Sequence, residues 1–501
     1  MIFEINNPTT VRIPKSLDLD SLKFLLTFKE KSIEYQLNKA LKTKKKLPLL
    51  EKVMKSNKFA AYKEALLVNI QDLTSKLHTC LLFKDSNGYY THSGLSSLLV
   101  ENFGGKIVRT YNFPEPKFLA WNKEPIKKMR PYQKEALDKL LDIKHGAVEI
   151  GTGLGKSFIL LNIIKRLGLR TVVMTPSVSI AGQLYEELSK AFGKKKVGAF
   201  FSGKKECDKL VTIAVGASLT KVTEGSLAWE ELSKADVLIV DESHMTPAET
   251  LKVVCFGLLK KAAYRLFFSG TQMRNDGRDM LLNGIIGPIV YSMTVREGVD
   301  GGYLAKPIFH MVNVLSAEPQ KEGDPAKTTR KHLYYNDIVN KAAAKIIDLA
   351  VERQGHQVLV LVEELEQFAH LLRFVKSPMR FAHGGITEAT KDKIPKEYHT
   401  SDPQALVDLF NANKIPVLVG TSCIATGTDI RENRSTVYLM GGTSEIQVRQ
   451  AVGRNTRLTE GKTSCHHFDF SVSNVPLLER HAECRRAIYE DIYGPVRTIR
   501  M

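Results

Sequence analysis

A glycine-rich stretch that ends in lysine and serine is the part of the chain best suited to chemistry. It reads GTGLGKS and follows the apolar run Gly146–Ile150. Glycines let successive backbone N–H groups point at one anion, and the predicted helix Phe158–Leu167 would present its positive end to the same anion. The strict phosphate-loop motif has glycine at the position of Ile150. This stretch alone is therefore also compatible with a glycine-rich turn that binds no nucleotide. The candidate ATP ligands are Gly151, Thr152, Gly153, Gly155, Lys156, which can reach the phosphates, and Ser157, which can bind Mg²⁺.

Two consecutive carboxylates follow a second apolar run. Asp241 and Glu242 come directly after the predicted strand Asp236–Val240. Hydrolysis of Mg²⁺-bound ATP needs one carboxylate for the metal and a second to orient and deprotonate the attacking water. Asp241 suits the metal and Glu242 suits the water. The alternative is that both acids only interact with a helix dipole.

Two arginines far along the chain could complete such a site. Arg454 and Arg457 are three residues apart in QAVGRNTR, which begins at Gln450, and they would share one face if the segment were helical. A cation that arrives from a second domain can stabilise the charge on a transferring phosphoryl group. A surface helix held by salt bridges is the alternative.

The overall composition predicts a multidomain globular protein with an anionic partner. The chain has 501 residues, 43% of them hydrophobic and 25% charged, and its formal charge is +18. A chain of this length exceeds one core and implies two to four domains. Nucleic acid is the first candidate for the partner, because no basic amphipathic helix with aromatic anchors suggests a membrane surface.

The cysteines and the N-terminus predict a cytoplasmic protein, in a host cytoplasm if the chain is viral. The six cysteines include no CxxC pair, so we expect neither disulfides nor a zinc site. The cluster Cys465-His466-His467 lies in an alternating strand pattern, which favours packing over metal binding. The first residues have no basic and apolar leader, and no run is long enough to span a membrane.

The order of predicted elements gives an α/β protein. Residues 1–120 combine helical patterns, over Leu17–Leu50 and Tyr62–Leu77, with a β-rich tail, and we expect a smaller α/β (α+β) domain there. Strands alternate with helices over 121–306 and again over 341–501, which predicts two parallel sheets. Residues 307–340 are expected to be a linker, and Pro114–Pro125 a second, shorter one.

At this point the motifs resemble a known family. The chain is similar to superfamily 2 helicases of the DExH type in a series of motifs that come in the family's order. These are Arg130-Pro131-Tyr132-Gln133, GTGLGKS, Thr175-Pro176, DESH, Ser269-Gly270-Thr271, the stretch from Val417 and QAVGRNTR. The resemblance covers about two-thirds of the chain. It implies two tandem RecA-like domains, with ATP and Mg²⁺ bound between them and single-stranded nucleic acid running across both.

The resemblance assigns further roles residue by residue. Arg130 and Gln133 resemble the segment that binds adenine, while Ser269 and Thr271 resemble the motif that couples ATP to the strand. Thr175 and Gln183 resemble contacts to the nucleic-acid backbone. Thr421, Gly427 and Asp429 resemble the second domain's motif, in which Thr421 would touch the strand and the other two the nucleotide. Gln450, Arg454 and Arg457 resemble the arginine-finger motif.

The segments SGTQMRNDGRD and GGYLAKP are similar to those of the phage UvsW type, which remodels branched DNA. This implies unwinding or branch migration of forked and four-way DNA in replication, recombination or repair. An RNA-directed helicase and a nucleic-acid-binding module with a vestigial ATPase stay open as alternatives. Residues 1–120 are disproportionately basic, and we expect Lys44 and Lys45 to contact branched DNA. The sequence names no protein partner.

Overall fold

The computed structural model divides the chain into two compact units. One contains residues 1–148, 159–181 and 187–291, and the other contains residues 149–158, 182–186 and 292–501. The structure describes residues 1–51, 56–122, 128–270, 279–316, 318, 323–400, 402–421, 424 and 430–501. No helix in these ranges is long and apolar enough to cross a membrane.

The strands are β1 Ile2–Asn7, β2 Thr10–Arg12, β3 Thr27–Lys29, β4 His78–Cys80, β5 Phe83–Asp85, β6 Gly88–His92, β7 Lys106–Arg109, β8 His145–Ile150, β9 Thr171–Thr175, β10 Val197–Phe200, β11 Val211–Val215, β12 Val237–Val240, β13 Tyr264–Ser269, β14 Ile289–Met293, β15 Lys306–Leu315, β16 Gln357–Leu361, β17 Met379–Ala382, β18 Val417–Gly420, β19 Asn433–Tyr438, β20 Ser464–Ser473 and β21 Val496–Arg500.

The α-helices are α1 Leu19–Leu26, α2 Lys31–Lys45, α3 Leu47–Glu51, α4 Ser56–Ser75, α5 Ser96–Phe103, α6 Pro131–Ile143, α7 Lys156–Leu167, α8 Val178–Phe192, α9 Gly216–Leu219, α10 Leu227–Leu232, α11 Ala248–Val253, α12 Asp279–Ile286, α13 Val295–Asp300, α14 Pro325–Thr329, α15 Asp337–Gln354, α16 Leu365–Leu372, α17 Glu388–Lys391, α18 Pro403–Asn411, α19 Glu445–Asn455 and α20 Pro476–Tyr493.

Two seven-stranded parallel sheets confirm the predicted α/β class. The first has the order β10-β11-β9-β12-β13-β8-β14. Its strands β9, β11, β12 and β13 are buried along their whole length, as expected when helices cover both faces of a parallel sheet. Six of its strands were predicted from their apolar runs, whereas β14 was not, because its residues are only partly buried and partly polar.

The second sheet has the order β17-β18-β16-β19-β20-β15-β21. Strand β15 pairs with β20 over ten residues and with β21 over five. The predicted linker 307–340 is therefore wrong over Pro307–Leu315, which is a strand within the second sheet. The strand was assigned to the linker because polar residues follow it directly in sequence, although β15 itself is paired on both sides.

The N-terminal region is a separate five-stranded sheet, in the order β5-β6-β2-β1-β7, with helices beside it. The predicted helix Leu17–Leu50 is wrong in detail: it is interrupted at Thr27–Lys29, where β3 pairs with β4. Helices α2 and α4 pack on each other, and most of α4 is exposed. The hairpin residues Tyr89 and Tyr90 lie under the cations of Lys84 and Arg12, so both rings are engaged within the fold.

This N-terminal sheet shares its hydrophobic core with the first large sheet. The hydroxyl of Ser93 lies 3.4 Å from His145 Nδ1, and the other ring nitrogen of His145 lies 2.9 Å from the carbonyl oxygen of Ile285. Burial lowers the pKa of His145 to about 3, so the ring is neutral in the fold. His92 stacks on Phe256 with ring centroids 4.3 Å apart. The N-terminal region is therefore docked by buried contacts.

The predicted linker Pro114–Pro125 also packs against this unit over its described part. The backbone N–H of Leu119 donates to the carbonyl of Lys165 at 2.7 Å, and the Trp121 ring stacks on Phe192 at 5.0 Å. Prolines in the segment prevent a helix, but they do not prevent docking along the surface of a domain. The predicted linker is therefore packed along the domain up to Asn122.

We predict that Gly94→Ala destabilises this docking. A Cβ at Gly94 would overlap the backbone carbonyl oxygens of Asn283 and Gly284, which cannot retreat like a side chain. Overpacking of this kind costs roughly 1–3 kcal/mol, so thermal unfolding of the first unit should begin at a lower temperature. Gly182→Ala is the control, because Gly182 lies within α8 and has open space around it. Equal melting curves for the two variants would contradict the docking role.

Candidate active site

The glycine-rich loop has the geometry that anion binding requires. Gly153 and Gly155 have φ angles of 88° and 82°, which L-residues with side chains rarely adopt. The ammonium of Lys156 donates to the carbonyl of Ile150 at 3.2 Å, so it lies across the loop. Helix α7 begins at Lys156, which is two residues earlier than predicted, and Ser157 lies in its first turn. This arrangement fits a bound triphosphate, with Lys156 at its phosphates and Ser157 at Mg²⁺.

The two carboxylates that follow β12 lie in different surroundings. Asp241 is buried, and its Oδ1 accepts the backbone N–H of Glu242 at 3.0 Å. Glu242 has a left-handed backbone, with φ 47° and ψ 49°, a conformation that costs about 1–3 kcal/mol outside glycine. The fold thus holds a strained turn at Glu242, beside the buried Asp241. A buried acid next to a partly exposed one suits the first for a metal and the second for a water.

A buried contact connects this turn to the next strand. His244 Nδ1 makes a short hydrogen bond with the Ser269 hydroxyl at the end of β13, and the Ser243 hydroxyl donates to the carbonyl of Phe268 at 3.3 Å. The Nδ1 atom of His244 also lies 3.4 Å from a Glu242 carboxylate oxygen. A movement of Ser269 would therefore be transmitted to Glu242 through the imidazole ring of His244. The predicted partner Thr271 lies outside the described residues.

Sheet order fixes how these groups follow one another along the sheet edge. Parallel strands bring their carboxyl ends to one edge, and the order β9-β12-β13 places Thr175, Asp241 and Ser269 in that sequence. Neighbouring strands are about 4.8 Å apart, so the ends of β9 and β13 are separated by about 10 Å. The residues that follow β12 and β13 are therefore close enough to interact.

Gln133, the predicted adenine contact, is buried at the start of α6. Its Oε1 accepts the backbone N–H of Arg130 at 2.9 Å, and the Arg130 guanidinium donates to the Tyr132 hydroxyl at 3.2 Å. Gln133 therefore fixes the entry of the helix. Its contact with adenine stays a prediction.

The arginine segment lies on α19 and just beyond it. Arg454 is in the last turn of the helix and is buried, and Gln450 is half-buried one turn earlier. Arg457 follows the helix, and its Nη1 donates to the carbonyl of Ile430 at 3.4 Å. The two arginines therefore do not share a helical face, because the helix ends at Asn455.

Within the second unit, this segment adjoins the glycine-rich loop. A Cβ at Gly453 would overlap the side chain of Thr152, so only glycine fits there. A Cβ at Gly153 would lie 3.4 Å from the Gly453 carbonyl oxygen and 3.5 Å from Arg457 Cγ. The arginine segment is thus close enough to act on a phosphate held by the loop.

The predicted nucleic-acid contacts are only partly accessible. Thr175 is fully buried, and its hydroxyl donates to the carbonyl of Ser177 at 3.1 Å, so it shapes the turn after β9. Gln183 is half-buried on α8, and the Thr421 N–H donates to the Ala382 carbonyl at 3.4 Å. Gly427 and Asp429, which the same motif assigns to the nucleotide, lie outside the described residues. The roles of all five stay predictions.

Sequence reasoning missed Lys462, which is 1% exposed. Its ammonium donates to the carbonyl of Arg431 at 3.1 Å, beside the carbonyl of Ile430 that Arg457 binds. Burial lowers the pKa of Lys462 to about 8. Arg457 and Lys462 thus donate hydrogen bonds to the carbonyls of two consecutive residues, Ile430 and Arg431. A lone lysine in a polar stretch carries no sequence signal for this role.

The cluster Cys465-His466-His467 serves packing, as predicted. His466 Nδ1 lies 3.0 Å from His310 Nε2, and His467 Nε2 lies 3.1 Å from the Tyr489 hydroxyl. Burial raises the pKa of Cys465 to about 12. Among the described residues, no three His, Cys, Asp or Glu side chains are arranged to hold a metal.

Two RecA-like sheets with a phosphate loop on the first and an adjoining arginine segment from the second define a nucleotide-driven motor. Family models agree with this class: the res subunit of type III restriction enzymes matches residues 126–274, and the helicase conserved C-terminal domain matches residues 341–459. The chain belongs to superfamily 2, among its DExH-type helicases, and it is an ATP-hydrolysing enzyme.

Individual relatives support this membership. The chain is 30% identical over 360 residues to the DNA 3'-5' translocase XPB2 of Sulfurisphaera tokodaii. The match covers 66% of the chain and 78% of that protein. It is 23% identical over 387 residues to a protein of Escherichia phage T5 named "Probable helicase D10", with 76% and 77% covered. The structure of S. cerevisiae Dbp5 bound to RNA and ADP BeF3 has the same fold, with a TM-score of 0.52, 14% identity and 75% and 90% coverage.

We predict that Glu242→Gln still binds ATP but hydrolyses it about 10²–10⁴-fold more slowly. The amide keeps the shape of the side chain and its hydrogen bonds, but it cannot take a proton from water. ATP turnover and binding of a fluorescent nucleotide would be measured together, with the exposed Glu224→Gln as control. Loss of nucleotide binding would instead place Glu242 at the metal.

Replacing Arg454 or Arg457 by alanine should lower kcat by up to about 10³–10⁵-fold, with a smaller effect on ATP affinity. The arginines are expected to act on charge that develops during transfer. Arg449→Ala is the control, because Arg449 lies on the same helix but pairs with Glu445 and Asp491. Arg454→Lys tests whether buried charge alone suffices. Equal losses in affinity and kcat would assign the arginines to ground-state binding.

Proposed function

We propose that the chain is a Mg²⁺- and ATP-dependent translocase that unwinds or branch-migrates forked and four-way DNA. The observation that carries the proposal is the close approach of Gly453 and Arg457 to the glycine-rich loop. A contact of this kind would let hydrolysis respond to movement of the arginine segment, which is what a translocating motor needs. The relative from Sulfurisphaera tokodaii is named a DNA translocase, and this supports DNA as the substrate.

In the proposed reaction each residue has a distinct task. Backbone N–H groups of the loop and Lys156 would bind the phosphates, and Ser157 and Asp241 are the residues that would hold Mg²⁺, which would neutralise charge on the phosphates when bound. Glu242 orients the attacking water and accepts its proton. Arg454 and Arg457 stabilise the charge that develops on the transferring group. Ser269 and His244 transmit the position of the strand to Glu242.

The N-terminal helices support a preference for branched DNA. Lys42, Lys44, Lys45 and Lys46 are all exposed at the end of α2, where they can follow phosphates. The N-terminal sheet shares a hydrophobic core with the first large sheet and contacts it through Ser93 and His145, so this region is held next to the motor. Two motor sheets alone offer no comparable surface for recognising a junction.

We predict that Lys44→Ala/Lys45→Ala weakens binding to forks and four-way junctions while retaining ATPase stimulation by single-stranded DNA. Each lost phosphate contact should make log K versus log[salt] shallower by about 0.9 on duplex arms. Rates would be measured with single-stranded DNA, duplex, fork, four-way junction and RNA. Lys44→Arg/Lys45→Arg keeps the charge and is the matched control, and Lys156→Ala sets the ATPase background. Unwinding of forks at the wild-type rate with an unchanged salt slope would contradict this role.

A further inference from the structure

A second concentration of positive charge lies far from the N-terminal lysines in sequence. The twenty residues from Lys190 to Lys209 contain seven lysines against two acidic residues, a net charge of +5. The whole chain carries +18, so this short segment holds more than a quarter of the charge. Such a density is typical of a surface that binds an anionic polymer.

The segment surrounds the outermost strand of the first large sheet. Strand β10 pairs on one side with β11 and is the last strand in the sheet order. Lys194, Lys195 and Lys196 come directly before it, at its amino end. Lys204 and Lys205 come after it, and the backbone N–H of Lys204 donates to the carbonyl of Phe201 at 3.0 Å. The strand therefore has a group of lysines at each end.

The chain then turns back along β10. The backbone N–H of Glu206 donates to the carbonyl of Ala199 at 3.0 Å, and a Cβ at Gly198 would lie 2.9 Å from Lys209 Cγ. This return covers the strand edge, which protects it from pairing with another strand. It also brings Lys209 back to the amino-end group.

The two acidic side chains in the segment face local partners. A carboxylate oxygen of Glu206 accepts the backbone N–H of Ala199 at 3.2 Å, and Asp208 lies 3.4 Å from the ammonium of Lys209. Lys190, Lys194, Lys195, Lys196, Lys204 and Lys205 are exposed. The electrostatic potential at the exposed surface around β10 is therefore positive.

The spacing of the two lysine groups suits a duplex. A strand of four residues is about 13 Å long, and the major groove of B-DNA is about 12 Å wide. Lysines at the two ends of β10 can therefore reach phosphates on opposite sides of one groove. A single strand would need a continuous row of cations, which β10 itself does not provide.

Strand β10 lies far along the sheet from the strand that contacts the N-terminal region. It lies close to the strand that precedes the predicted nucleic-acid path. His145, which contacts the N-terminal region, starts β8 near the other end of the sheet order. Lys204 and Lys205 follow the carboxyl end of β10, two strands from Thr175 at the end of β9, which is about 10 Å. A duplex on this edge would thus lie close to the turn after β9 that Thr175 shapes, where the strand path is predicted.

We propose that residues 190–209 form a second DNA-binding surface, which straddles a groove of the duplex arm next to the single-stranded path. The proposal rests on the proposed function, because it takes DNA as the substrate. It assigns the lysines at both ends of β10 to phosphates of that duplex.

The test uses the full-length chain with one lysine removed at each end, Lys195→Ala/Lys205→Ala. Binding to a blunt duplex and to a single strand would be measured by fluorescence anisotropy over a series of salt concentrations. Two lost contacts should make the duplex salt slope shallower by about 1.8 and leave the single-strand slope unchanged. ATPase stimulation by single-stranded DNA should persist, because neither lysine belongs to the glycine-rich loop or to the arginine segment.

Matched variants separate this surface from charge in general. Lys260→Ala/Lys261→Ala removes an exposed lysine pair elsewhere on the same unit and should leave the duplex slope unchanged. Lys195→Arg/Lys205→Arg should keep the wild-type slope. An unchanged slope in Lys195→Ala/Lys205→Ala would overturn the proposal, and so would an equal loss on the single strand. Absence of DNA-stimulated ATPase in the wild type would instead refute the proposed function.

Discussion

Parallel strand pairing is the constraint on which the candidate site depends. Because all strands of the first large sheet run in one direction, the residues that end β9, β12 and β13 must meet at one edge, whatever lies between them in sequence. The buried hydrogen bond between His244 and Ser269 then couples two of these strand ends. Loss of the pairing would scatter groups that are up to about a hundred residues apart along the chain.

Much of the fold follows from apolar runs. Strands such as Val237–Val240 have uniform burial and β-branched residues, so their pattern and the resulting edge could be read directly. Strands β14 and β21 could not, because these two strands are half-exposed and lack a continuous apolar run. Strand β15 was lost for another reason: its apolar residues merge into a polar segment, and only the long-range pairing with β20 shows where it belongs.

The candidate site was predictable in its residue types and less so in its geometry. GTGLGKS and DESH have chemical requirements that fix their spacing, so Lys156, Asp241 and Glu242 could be assigned without coordinates. The left-handed turn at Glu242 and the Lys462 contact with Arg431 depend on tertiary packing, and no local pattern marks them. The helix end at Asn455 likewise separates two arginines that the sequence would place together.

The core shared by the N-terminal sheet and the first large sheet bears on how the chain is synthesised. Its buried members run from Phe3 to Ile286, and β1 pairs with β7 about a hundred residues later. A ribosome must therefore release more than half of the chain before the first unit can close its core. Until then Phe3, Ile5 and Val11 have only partial cover, so the nascent chain is exposed to aggregation over an unusually long interval of translation.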